Sequence, residues 1–190
     1  MVKRPEGTWD IGIPYEELRT KLLTLIEMAR HRASMGYKRA KKRLANLYVL
    51  LIQLENAARV SEAYDAYLAY LETGQRKIRV RVRKHRKGQT YRFIIIPPEI
   101  PEPSRCPKPS SLAAVEVFAQ SIGLNTHTLR YARITDLAKR KVHPTIMGKI
   151  TRHKNLRWLI DYIQDRVAEE TLERLVMGHA EEAHGQEEVS

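Results

Sequence analysis

Between Tyr15 and Ser34 the apolar residues Leu18, Leu22, Leu25, Ile26 and Ala29 recur three and four positions apart, with charges between them. That spacing predicts an amphipathic helix, ended by Gly36. A second helix begins near Tyr37 with a basic run and turns apolar through Leu44, Leu47, Tyr48, Leu51 and Leu54, so one end is cationic and the other buried. A third is predicted over Ser61 to Leu71, with Ala63, Ala66, Tyr67 and Tyr70 on one side and Gly74 at its end.

From Lys77 the period changes to two. Ile78, Val80 and Val82 alternate with Arg79, Arg81 and Arg83, the pattern of a strand with one apolar and one cationic face. A return strand over Tyr91 to Ile96 is stopped by Pro97 and Pro98, giving a β-hairpin with Gly88 in its turn and Lys and Arg around the tip. The proline-rich stretch 97–109 has no periodicity and reads as an extended surface connection within one domain. Helices then resume: one capped by Ser110 and running to about Ser121, one capped by Asn125 or Thr126 and running to Arg140, a short one over Pro144 to Ile150, and a long one from Leu156 to about Met177. The expected fold is therefore mainly α with a small antiparallel hairpin, an α+β arrangement in which helices pack around that sheet.

Composition adds a partner. The formal charge of +12 favours polyanions through counterion release, and nucleic acid is the leading candidate. From residue 168 onward the chain holds seven Glu against one Arg, so the body is more basic than the total suggests. Cys106 has no cysteine partner and no Cys/His company of a zinc site, which fits a reducing compartment. No apolar run approaches a membrane span and the start carries no signal-peptide segment, so the expected location is the cytoplasm.

Several polar residues fall at spacings that packing does not explain. His127 and Arg130 share a helical face, His153 and Tyr162 follow downstream, and Arg59 stands at a helix start with Glu62 three positions on. The stretches NTHTLRYARITDLA, TRHKNLRWLIDYI and AARVSEA, with Lys87-Gly88 followed by Arg92, resemble the motifs of the tyrosine recombinase (phage integrase) family in order and spacing from about Ala57 to Tyr162. The resemblance is to that family's catalytic domain in a minimal form, since only 58 residues precede Arg59 where a helical DNA-clamping domain is usual. It implies an N-terminal extension with an amphipathic helix over 1–36, a catalytic domain over 37–177 and a mobile acidic tail over 178–190.

The resemblance also implies roles. Tyr162 would attack the scissile phosphodiester and form a 3′-phosphotyrosyl link. Arg59 and Arg130 would bind the non-bridging oxygens, and Lys87, preferred to Lys84, would protonate the departing 5′-oxygen. His127 would handle a proton near the tyrosine, His153 would support the phosphate, and Glu62 would orient the cluster. The link conserves bond energy, so no cofactor, metal or nucleotide is implied. The partners implied are double-stranded DNA and further copies of the chain, as a tetramer on DNA, with no membrane and no small-molecule substrate. Two positions depart from the family pattern: Tyr131 stands where a second histidine is common, and Arg152 where a glycine usually precedes the second histidine.

Taken singly, each residue has a plainer reading. A His-x-x-Arg pair is usually a solvated helix face, and a tyrosine in Leu159-Ile160-Asp161-Tyr162-Ile163 is usually core packing. Their joint occurrence in one order carries the assignment. Lys38, Arg39, Lys41, Lys42 and Arg43 are divided between DNA contact and a solvated helix end, whereas Arg79, Arg81 and Arg83, with Lys84 and Arg86, read as phosphate contacts because like charges on one strand face repel without an anion. His31, His85, His143, His179 and His184 read as ordinary surface residues. Two other functions compete with recombination, integration or transposition: a type IB topoisomerase-like relaxing activity, and non-catalytic DNA binding.

Overall fold

The computed structural model describes residues 13–82 and 91–152, with Ala168, Leu172, Glu173, Leu175 and Val176 beyond them. Arg83, Lys84, Arg86 and Lys87 of the hairpin tip, together with His153, Tyr162 and the tail from residue 178, lie outside the described residues. Along the chain run α1 (Tyr15–Ser34), α2 (Lys38–Glu55), α3 (Val60–Thr73), β1 (Lys77–Arg81), β2 (Tyr91–Ile95), a short 3₁₀ turn (Pro103–Arg105), α4 (Leu112–Ser121), α5 (Thr126–Lys139) and α6 (Pro144–Thr151). Among the described residues the fold is mainly helical with one two-stranded antiparallel sheet, as the two periodicities predict.

The second helix is central because its apolar residues do not stop at one stripe. From Leu44 to Leu54 every residue is buried, Asn46 and Gln53 included, and α1, α3, α4 and α5 all pack against it. A helix apolar all round belongs in a core. Leu18, Leu22, Ile26 and Ala29 of α1 enter the same core, as do Tyr67 and Tyr70 of α3 and Ile78, Val80 and Ile94 of the hairpin. At the end of α2, Glu55 accepts from Tyr15 Oη at 2.8 Å and from Arg19 Nε at 2.8 Å, which fastens α1 to it.

The proline-rich connection is held more tightly than an extended surface segment. Ile100 is fully buried. Proline removes the backbone donors, so the carbonyls here need partners from elsewhere. Tyr67 Oη donates to Pro107 O and Tyr70 Oη to Pro101 O, both at 2.8 Å, and Arg76 donates to Pro97 O and Ile100 O, both at 2.9 Å.

Three helix starts refine the sequence reading. Ser111, not Ser110, caps α4, because its Oγ is the one placed to accept from Ala114 N–H at 3.1 Å. Asn125 caps α5 by accepting from His127 N–H at 2.8 Å. His143 is more than a surface residue: its Nδ1 accepts from Thr145 N–H at 3.3 Å at the start of α6. Among the described residues no helix is long and apolar enough to cross a membrane.

Candidate DNA phosphate site

The turn between α2 and α3 sets the site. Ala57 is buried with φ +46°, a left-handed conformation that costs a non-glycine residue on the order of 1–2 kcal/mol. It packs with Ile134 of α5 and Met147 of α6 in a second small core, and this packing holds the strained turn. Arg59 then becomes the N-cap of α3, and Glu62, at the third helical position, accepts from the Arg59 backbone N–H at 3.1 Å.

Glu62 is 0 % exposed and is the hub of a cationic cluster. Its Oε1 accepts from Arg59 Nη1 at 2.9 Å, and its Oε2 from Arg92 Nη1 at 3.3 Å. Arg92 is 4 % exposed; its Nη2 donates to the Asn56 carbonyl at 2.6 Å. Asn56 in turn clamps the hairpin to this turn, its side-chain amide exchanging two 2.8 Å hydrogen bonds with the Ile95 backbone. From α5, Arg130 is 5 % exposed and donates to Thr151 O at 2.6 Å. Arg152 follows with φ +56°, the left-handed conformation a glycine adopts freely, and its Nη2 donates to Tyr91 O at 2.9 Å beside Arg92.

Arg59 and Arg92 thus bond one carboxylate, Arg130 lies within electrostatic range of it, and Arg152 lies within range of Arg92. Burial pushes the Arg130 pKa down to about 10, with repulsion from Arg59 and Arg92 adding to it against the attraction of Glu62. Burial also lowers Arg92, with Glu62 opposing and Arg59 and Arg152 adding to the shift. A folded pKa below the unfolded value means that the buried charge destabilises at all pH below about 10, and that the penalty lifts as pH rises above it. A bound dianion offsets the same penalty at neutral pH.

Millimolar pyrophosphate is therefore expected to stabilise the protein. At 100 times its Kd a ligand adds about 2.7 kcal/mol, which corresponds to roughly 5–10 °C in Tm at this chain length. Arg130→Met should remove that increment; an equal rise in the variant, measured by differential scanning fluorimetry, would place the anion elsewhere.

The structure thus brings together Arg59, Glu62 and Arg130. His127 lies exposed one turn before Arg130 on the same helix. Arg92 and Arg152 join them without having been assigned a role from the sequence. A signal for Arg92 was present: on the return strand it alternates in step with the buried Ile94 and Ile96, so its side chain faces inward. Tyr131 is half-buried against the small core of Ala57, Ile134 and Met147. Lys38, Arg39, Lys41, Lys42 and Arg43 are exposed at the opposite end of α2, roughly 20 Å of helix away from the Asn56 turn. Arg79 and Arg81 are exposed on the outer face of the sheet.

No family model matches the chain, and no solved structure matches it. An uncharacterised protein of Methanocaldococcus jannaschii is 27 % identical over 213 aligned positions, covering 92 % of each chain. A protein of Acidianus two-tailed virus, named "Putative integrase ORF241", is 33 % identical over 177 residues, covering 90 % of this chain and 70 % of the viral one. At one residue in three over nine-tenths of its length, the chain belongs to the integrase family that this viral protein represents.

Proposed function

We propose that this chain is a tyrosine-type DNA strand-transfer enzyme that cuts and rejoins DNA through a 3′-phosphotyrosyl intermediate, as in integration, site-specific recombination or transposition. The observation that carries the reading is the gathering of Arg59, Arg92 and Arg130 about Glu62, with Arg152 near Arg92: a cluster with more guanidiniums than carboxylates supports a phosphate as its ligand. Kinship with a viral integrase supports the same reading.

In the proposed reaction Tyr162 Oη attacks phosphorus as the P–O5′ bond breaks. The phenolic proton passes to His127 or to water, and Lys87 gives a proton to the leaving 5′-oxygen, so charge and atoms balance. Arg59 and Arg130 carry the charge that develops on the non-bridging oxygens, in a dry site where such contacts are strongest. Arg92 is a positioning residue that acts through Glu62, which holds Arg59 in place. His153 supports the phosphate from the segment after Arg152. Double-stranded DNA is the proposed substrate, held by Arg79, Arg81, Arg83, Lys84 and Arg86 and by the basic start of α2. Exchange between two duplexes further requires several copies of the chain on DNA, a tetramer in this reading.

A nicked suicide duplex tests the proposal. The expected product is a protein–DNA adduct stable to SDS, with a free 5′-hydroxyl on the released strand. Absence of the adduct on random and genomic DNA would leave only DNA binding. Relaxation of supercoils without joining of ends would favour the topoisomerase-like activity. For Lys87→Ala, cleavage is expected to fall and to be restored by a 5′-bridging sulfur, a leaving group that needs no proton; no restoration would move the general acid to Lys84.

A further inference from the structure

We infer that the outer face of the β1–β2 sheet, whose Arg79 and Arg81 the proposed function sets on duplex phosphates, is also a binding platform for an unpaired DNA strand, distinct from the buried arginine cluster. The sheet has two unlike faces. Ile78, Val80, Arg92 and Ile94 are buried, whereas Lys77, Arg79 and Arg81 of β1 stand exposed beside Tyr91, Phe93 and Ile95 of β2. The register pairs Arg81 with Tyr91, Arg79 with Phe93 and Lys77 with Ile95, so a cationic row runs alongside an aromatic and aliphatic row.

Three features select the ligand. The first is exposure: Phe93 is 56 % and Ile95 50 % exposed, a cost in water that an occupant would relieve. The second is charge. Neither Lys77–Val82 nor Tyr91–Ile96 contains an acid, so this face carries three cations about 6.8 Å apart along β1 with no carboxylate in either strand. That pitch suits successive phosphates of an extended strand, and like charges so placed repel until an anion compensates.

The third is the stacking already present. Lys77 Nζ lies 4.7 Å from the Phe93 ring centroid, and the Arg79 guanidinium lies 4.4 Å from that of Tyr91. Rings and guanidinium planes presented together are the surface on which unpaired bases stack. Paired bases inside a duplex cannot offer their faces to it, and an acidic peptide would leave the aromatic row unused. The Tyr91 end of the platform begins where Arg152 bonds the β2 backbone, so a strand on this face lies next to the phosphate site.

Fluorescence anisotropy with labelled dT15 and with a 15-base-pair duplex tests the inference, on wild type, Phe93→Ala, Phe93→Leu and Phe93→Trp. Phe93 is exposed, so folding should persist, and circular dichroism checks it. Loss of one stacked base is expected to weaken dT15 binding by roughly tenfold in Phe93→Ala, with duplex affinity unchanged. Trp should restore it and Leu should not. Arg79→Gln with Arg81→Gln should flatten the log–log salt dependence on single strands by about 1.4.

Equal loss on duplex, no loss on dT15, or rescue by Leu would overturn the assignment. So would a Phe93→Ala change in oligomeric state without DNA, which would give this face to a second copy. None of these measurements depends on strand cleavage, so failure of the adduct assay and failure of this inference are separable.

Discussion

Tyr162→Phe is expected to abolish the covalent adduct while leaving duplex affinity within about twofold of wild type. In the proposed reaction the phenolic oxygen is the atom that becomes bonded to phosphorus, and phenylalanine keeps the ring but removes that atom. Binding should survive because the proposed affinity rests on many phosphate contacts by the cations of the basic surface, which this substitution leaves in place. The measurement pairs denaturing electrophoresis of the suicide-substrate reaction with a native binding titration. Adduct formed by the variant would reassign the nucleophile, and Tyr131, beside Arg130 in sequence, would be the next tyrosine to replace. Loss of binding together with the adduct would indicate misfolding rather than a missing nucleophile.

The largest effect on stability should come from Glu62. Glu62→Ala removes the only carboxylate among the described residues bonded to Arg92, whose guanidinium is buried, and at the same time frees the first turn of α3 from its cap. Breaking a buried ion pair from one side costs about 3–5 kcal/mol, because the partner charge stays behind without compensation. Against a typical domain stability of about 5–15 kcal/mol that is a large fraction. Urea unfolding should show a lower midpoint at unchanged m-value. Glu62→Leu combined with Arg92→Met should recover much of the loss, since apolar side chains of similar volume tolerate the same cavity. A loss below about 1 kcal/mol for Glu62→Ala would mean that Arg92 finds another anion or reaches water. The double variant separates the two roles of the pair: stability returns, but cleavage should not, because Arg59 then lacks the carboxylate that orients it.

The cluster also explains how Arg152 can stand where the motif it resembles has a glycine. A glycine there supplies a left-handed backbone at no cost, and the arginine holds the same conformation while its guanidinium bonds the Tyr91 carbonyl. The side chain contributes a fourth cation to the arginine cluster. Arg152→Gly is therefore a change of charge more than of backbone shape.

Much of the fold was legible because the signals are local. The three- and four-residue recurrence from Leu18 to Ala29 located α1 at its observed bounds, and alternation from Ile78 to Val82 located the hairpin and its buried face. Helix ends at Gly36, Gly74 and Asn125 followed from backbone conformation or a side-chain cap, both settled within a few residues. The order of Arg59, Glu62 and Arg130 along the chain was enough to nominate them.

What only the tertiary structure decided is which charges meet and at what dielectric. Arg92 reaches Glu62 across 30 positions and Arg130 reaches the Thr151 carbonyl across 21, and neither separation is a helical or strand period. The basic start of α2 and the arginine cluster look alike as lists of cations, yet the first is solvated and Arg92 and Arg130 of the second are buried. Periodicity arises from bonded geometry and is written residue by residue, whereas desolvation depends on what the rest of the chain packs around a group, and so appears only once the chain has folded.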